Sequence, residues 1–201
     1  MTQATAELLK GAQEAARAAR HEEVLDCCDA VAEAVAAAGG DALSELGFLR
    51  GDALRHLGRW AAAEAAFRQV TEMTDPGPCA RRATRAWRLL SELARRGRHW
   101  DDALLAAAAA ARGAEALGDP VGAALATVAQ ARVLSDMGRG AEADARYERV
   151  LAEAEGYLAA GSDEWALVMV VTRTAASAPP TSARWPSCLS LAGATVPRCA
   201  C

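Results

Sequence analysis

Apolar positions along this chain recur with a helical period, and that pattern itself recurs at a longer one. Val24, Ala63, Ala103 and Ala143 stand 39, 40 and 40 residues apart, each just after a polar break. Four residues further on come Cys28, Phe67, Ala107 and Tyr147, and three beyond those Val31, Val70, Ala110 and Val150. Such an i, i+4, i+7 trace is one face of an α-helix. A second apolar face precedes each break: Leu8/Ala12/Ala15, Gly47/Gly51/Leu54, Trp87/Leu90/Ala94 and Thr127/Ala131/Leu134. The spacing predicts four helix–turn–helix units in about 160 residues.

The punctuation agrees with that division. Gly58, Gly97 and Gly138 fall at the breaks inside units, where a helix ends in the left-handed conformation that suits glycine. Between units run "GGD" (39–41), "DPGP" (75–78), "GDP" (118–120) and "GSD" (161–163). Asp41, Asp119 and Ser162 are expected N-caps, and Pro120 suits a first helical turn.

These residues resemble the tetratricopeptide repeat (TPR) family. The second unit carries the resemblance best, with Gly51 in its first helix, Trp60 after the turn, then Ala63, Phe67 and a closing Pro76. The third adds Trp87, Leu90, Ala94, Trp100 and Ala103, while Ala12, Val24, Ala131 and Ala143 mark the first and fourth. The likeness spans residues 4–160, with units nearer 40 residues than the family's usual 34, as in some bacterial regulators and peptide sensors. It implies an all-α, superhelical solenoid of about four units over residues 1–161 whose first helices line a concave groove. Small residues such as Ala12, Gly51, Ala63, Ala103, Ala131 and Ala143 would let helices cross closely, while Trp60, Phe67, Trp87 and Tyr147 fill the wider gaps. A buried Trp60 would make Trp60→Ala cost roughly 3–5 kcal/mol.

Composition strengthens the helical reading. About a quarter of the residues are Ala, the best helix former, and only 4% are aromatic. The net charge of -4 argues against general nucleic-acid binding. No apolar run suggests a signal peptide or a membrane span, so a soluble cytoplasmic protein is expected. The cysteines, two of them adjacent at 27 and 28, read as reduced thiols.

After Ala160 a fifth unit begins over 162–171 and then fails. Residues 172–201 hold four prolines and three cysteines but no Asp or Glu. This irregular C-terminal tail is expected to be disordered, or to be the frame-shifted end of a longer repeat protein.

Charge singles out the third unit. "CARRATRAWRLLSELARRGRHW" places Arg85, Arg88 and Arg95 at helical spacing, with Glu92 between them and Arg96 beside. By the TPR resemblance, Arg85, Arg88, Leu89, Glu92, Arg95 and Arg96 face the groove. Phe48, Asp52, Arg55 and His56 join them from the second unit, and Leu125, Val128, Ala129, Arg132 and Asp136 from the fourth. Guanidinium forks beside apolar ledges suit an acidic peptide or a chain terminus. The alternative is a solvated arginine face paired internally with Glu92. Seven Arg between 81 and 98 also offer phosphate contacts, but no groove-reading motif accompanies them.

No phosphate loop, nucleophile elbow or zinc spacing is present, so no catalytic, cofactor or metal site is expected. His56 and His99 stand singly at helix ends. The expected function is a protein–protein interaction module, an adaptor or peptide-binding scaffold. The alternatives are the sensor fragment of a larger bacterial regulator and, less in keeping with the residues, an enzyme with a groove site. Small apolar residues at an open end also offer a homodimer contact.

Overall fold

The computed structural model describes residues 3–38, 40–73, 77–159 and 165–177. Among them are nine α-helices and no strand. They are α1 (Gln3–Arg17), α2 (His21–Ala38), α3 (Gly40–His56), α4 (Trp60–Thr71), α5 (Pro78–Arg96), α6 (Trp100–Ala116), α7 (Pro120–Asp136), α8 (Gly140–Ala159) and α9 (Trp165–Ser177). Each helix packs on the next, and each odd-numbered helix also touches the next odd one, from α1·α3 through α7·α9. The odd helices therefore form one continuous layer.

All twelve positions of the second-helix pattern, from Val24 to Val150, are 4% exposed or less. Their burial against the odd helices is the main source of stability, because a single amphipathic helix of this length is marginal in water. In α1 one position of the expected trace differs. Leu9 is buried and Leu8 is exposed, while Ala12 and Ala15 are fully buried. At Gly51 two helices come close: a Cβ there would stand 2.7 Å from the Phe67 ring, so α3 and α4 cross where only glycine fits.

The same turn closes each pair. Arg20, Arg59, His99 and Arg139 each donate a backbone N–H to the carbonyl five residues earlier, on Ala15, Leu54, Ala94 and Leu134, all at 2.9 Å. This bond needs a left-handed residue just before the donor. Gly58 (φ 74°) and Gly138 (φ 80°) supply it, as expected. In the third unit, however, the left-handed residue is Arg98 (φ 61°), and the expected Gly97 sits at φ -75° as an ordinary helical C-cap. Forty-residue spacing governs the position, and "GRH" carries its glycine one residue early. A side chain in this region costs about 1–2 kcal/mol, partly offset by the extra freedom glycine has when unfolded. Arg98→Gly is therefore expected to stabilise the fold by about 0.5–1 kcal/mol, read from the urea midpoint. An unchanged or lower midpoint would mean the turn is not strained.

At the helix starts, Asp119 caps α7 by accepting the Gly122 N–H at 2.8 Å, with Pro120 following. Asp41 does not cap. It lies inside the first turn of α3, and its carboxylate pairs with Arg82 of the next unit. Arg82 also reaches Glu45 at 3.2 Å, so one guanidinium ties α5 to α3. Cys27, Cys28 and Cys79 are free thiols.

Trp60 departs from expectation. It is 42% exposed rather than buried. As the first residue of α4 it stands at the edge of the stack, where the Arg96 guanidinium covers it 4.3 Å from the ring centroid. Trp60→Ala is thus expected to cost about 1–2 kcal/mol, from partial burial and one cation–π contact, not the figure for a buried indole. A loss above about 3 kcal/mol in urea unfolding would restore the buried reading.

The chain remains helical beyond the boundary expected at residue 171. α9 runs to Ser177 against α7 and α8, with Trp165, Val168 and Thr172 buried. Thr172 is accommodated because its hydroxyl donates to the Val168 carbonyl at 2.7 Å. Trp165 stacks on Tyr157 with centroids 4.4 Å apart. The expected Ser162 cap and residues 178–201 lie outside the described residues.

Candidate binding hollow on the odd-helix layer

α5 and α7 lie side by side in the odd-helix layer, and α9 reaches its rim. Between them is a small hollow of about 40 Å³ lined by Arg88, Ser91, Glu92, Arg95, Leu125, Val128, Ala129, Arg132 and Val171. Arg88, Glu92 and Arg95 share a face of α5 because they are three or four residues apart, one helical turn. Leu125, Val128, Ala129 and Arg132 share a face of α7 by the same spacing.

The charges around this hollow are not all balanced. Arg95 is engaged: it donates to Asp136 Oδ2 at 2.6 Å, with the two side chains only 11% and 4% exposed. Arg88 and Arg132 form no ion pair among the described residues. Burial pulls the Arg88 guanidinium below its ordinary value, opposed by Glu92 and reinforced by Arg85, Arg55 and Arg132. Glu92 is thus the nearby counter-charge, but it makes no direct pair, and the internally paired arginine face does not form. The Ser91 hydroxyl is fully buried with no hydrogen-bond partner, an unmet polar group in the wall of the hollow. Below it, burial pushes the Tyr147 phenol up to about 12, and its hydroxyl is likewise without a partner.

The remaining expected residues are divided among four settings. Arg85 sits over the Phe48 ring at 4.8 Å, and Phe48 packs tilted on Phe67 at 5.8 Å. That makes a cation-capped aromatic ledge beside the hollow. Arg55 is paired to Asp52 on its own helix at 2.8 Å, and His56 is not solitary: its ring stacks on His21 of the first unit with centroids 4.4 Å apart. Burial and then Arg55 hold the His56 imidazole below its usual range. Leu89 is a core residue at 5% exposure, not a groove ledge, because it falls on the α5 face shared with Leu93 and Ala86. Arg96 points away from the hollow to Trp60.

Two contributors had no sequence signal. Ser91 is an ordinary helical serine until α7 seals it, and Val171 comes from beyond the expected end of the repeat pattern. Among the described residues no cluster of side chains could hold a metal ion, and no helix is long and apolar enough to cross a membrane. The fold and hollow define an all-α stack of helix pairs with a partly uncompensated cationic recess. Compared with known protein families, curated proteins and solved structures, the chain matches none of them.

Proposed function

We propose that this chain is a tetratricopeptide-like solenoid acting as an interaction scaffold, whose odd helices line its concave side and take up an acidic peptide segment or chain terminus. The observation that carries this reading is the pair Arg88 and Arg132. They are half-buried guanidinium groups that, among the described residues, have no ion-pair partner, and they line the same hollow as the buried Ser91 hydroxyl, which has no hydrogen-bond partner there. A carboxylate entering between them would satisfy both forks and accept from the hydroxyl, and charge-assisted bonds of this kind are the stronger ones. Leu125 and the Arg85–Phe48 ledge give an apolar neighbour of the ligand somewhere to lie.

Fluorescence polarisation with a panel of Asp/Glu-rich peptides, each with a free and an amidated C-terminus, tests the proposal. Binding is expected to weaken at least about tenfold in Arg88→Gln/Arg132→Gln, about 1.4 kcal/mol or more, with helicity by circular dichroism unchanged. A preference for the free terminus would identify a terminal carboxylate as the anchor, and equal binding of both forms would identify side chains. Equal affinity for parent and variant would overturn the proposal.

A further inference from the structure

A second and larger hollow, of about 550 Å³, lies at the turn edge between the second and third units. Its walls come from the start of α4, with Trp60, Ala61 and Glu64, and from the end of α5 with the turn that follows. Its volume is that of an ordinary small-ligand pocket. Three observations converge on it.

The first is the exposed indole. Trp60 leaves 42% of its surface open and carries the Arg96 guanidinium over its ring at 4.3 Å from the centroid. A stacked indole and guanidinium offer a further flat ring a surface on which it gains both dispersion and electrostatic attraction. Leu93, Ala94 and Ala61 add apolar wall around that surface.

The second is the charge balance. Arg95 is neutralised by Asp136, and Glu64, the acidic group in the wall, is engaged by Arg68 at 2.5 Å. Arg96 and Arg98 have no carboxylate partner among the described residues; each rests over an aromatic ring instead, Arg98 over Trp100 at 6.0 Å. Two positive charges are left in a chain whose net charge is -4.

The third is Arg98 itself. The equivalent turn position is glycine in the second and fourth units and the small Ala19 (φ 56°) in the first, and here a long cationic side chain holds the left-handed conformation at φ 61°. Outliers of this kind concentrate at binding and switch sites. Arg98 is one of the residues that line the hollow.

We propose that this turn-edge hollow binds a small aromatic anion, its flat ring against Trp60 and Arg96 and its carboxylate or phosphate held by Arg96 and Arg98. Trp60, at 42% exposure, and the balance of charge are accounted for by the same occupant. The site differs from the odd-helix hollow in its ligand and shares only the Arg95 wall with it.

Isothermal titration calorimetry on the full chain tests this with 2-naphthoate and 2-naphthyl phosphate as probes and 2-naphthamide as the neutral control. At least one anion is expected to saturate in the micromolar to low-millimolar range, and the stronger of the two names the anionic group. The amide is expected to bind at least about tenfold more weakly. Arg98→Gly is the decisive variant, because it removes the charge while relieving the turn, so lost binding cannot be ascribed to unfolding. It and Arg96→Met, which keeps a stem over Trp60, should each weaken the anion at least about tenfold. Arg139→Ala, at the corresponding turn of the fourth unit, should leave binding unchanged. The proposal is overturned if neither anion saturates, if the amide binds as well as the anions, or if Arg98→Gly and Arg96→Met bind like the parent.

Discussion

Phe67→Ala is expected to cost the fold about 3–5 kcal/mol, the largest loss at any single aromatic of the repeated face. Phe67 is fully buried in α4, its ring lies 2.7 Å from where a Gly51 Cβ would stand, and Phe48 packs on it at 5.8 Å. Two helices crossing that closely cannot collapse much further to fill the vacancy, so both the transfer term and the cavity term apply. The change should be read as a shift in urea midpoint, with the slope followed as well, since a stack of repeats can lose one region before the rest. The loss should also loosen the Phe48–Arg85 ledge, whose inner support is the Phe67 ring. A cost below about 1 kcal/mol would mean that α3 and α4 do not cross as described.

Asp136→Ala should be nearly as damaging, by about 3–5 kcal/mol. Its carboxylate meets the Arg95 guanidinium at 2.6 Å with both side chains almost sealed from solvent. Removing it strands a cation inside the α5–α7 contact, where water cannot easily compensate it. The paired change Arg95→Met/Asp136→Leu separates that explanation from simple loss of packing. Apolar replacement of both partners is often neutral or stabilising, so the double variant should regain most of what the single one loses. Urea unfolding of parent, both single variants and the double closes the cycle. Equal instability of the single and double variants would show that the pair's charge is not the issue. Raised salt should change the single variant's deficit little, because a sealed pair is weakly screened.

Much of the core was legible beforehand because it follows from period. Helical spacing puts Val24, Cys28 and Val31 on one stripe, and a repeat of about 40 residues carries that stripe to Ala143, Tyr147 and Val150. The misses have a common cause. Trp60 satisfies the pattern, yet it is the first residue of its helix and lies at the edge of the stack, where the Arg96 guanidinium over its ring still leaves it 42% exposed. Arg98 takes a glycine's place because the spacing of the units outweighs the local "GR" signal. The TPR resemblance puts Leu89 in the groove, and one step of helical rotation puts it in the core.

The binding hollow was legible only in its members. Arg88, Glu92, Arg95, Leu125, Val128, Ala129 and Arg132 were each expected on the odd-helix side, and the structure gathers them around one recess. Which guanidinium groups stay free was not legible. Arg95 finds Asp136 across 41 residues of sequence, whereas Arg88 and Arg132 form no ion pair among the described residues. The sequence by itself determined the helices, their pairing and the buried stripe, because these depend on periodicity and on the chemistry of neighbouring residues. Only the tertiary structure decided which charges are neutralised, which hydroxyl is stranded and which indole stays open. Those depend on how closely two helices approach, and a distance of that kind is set by every side chain between them at once.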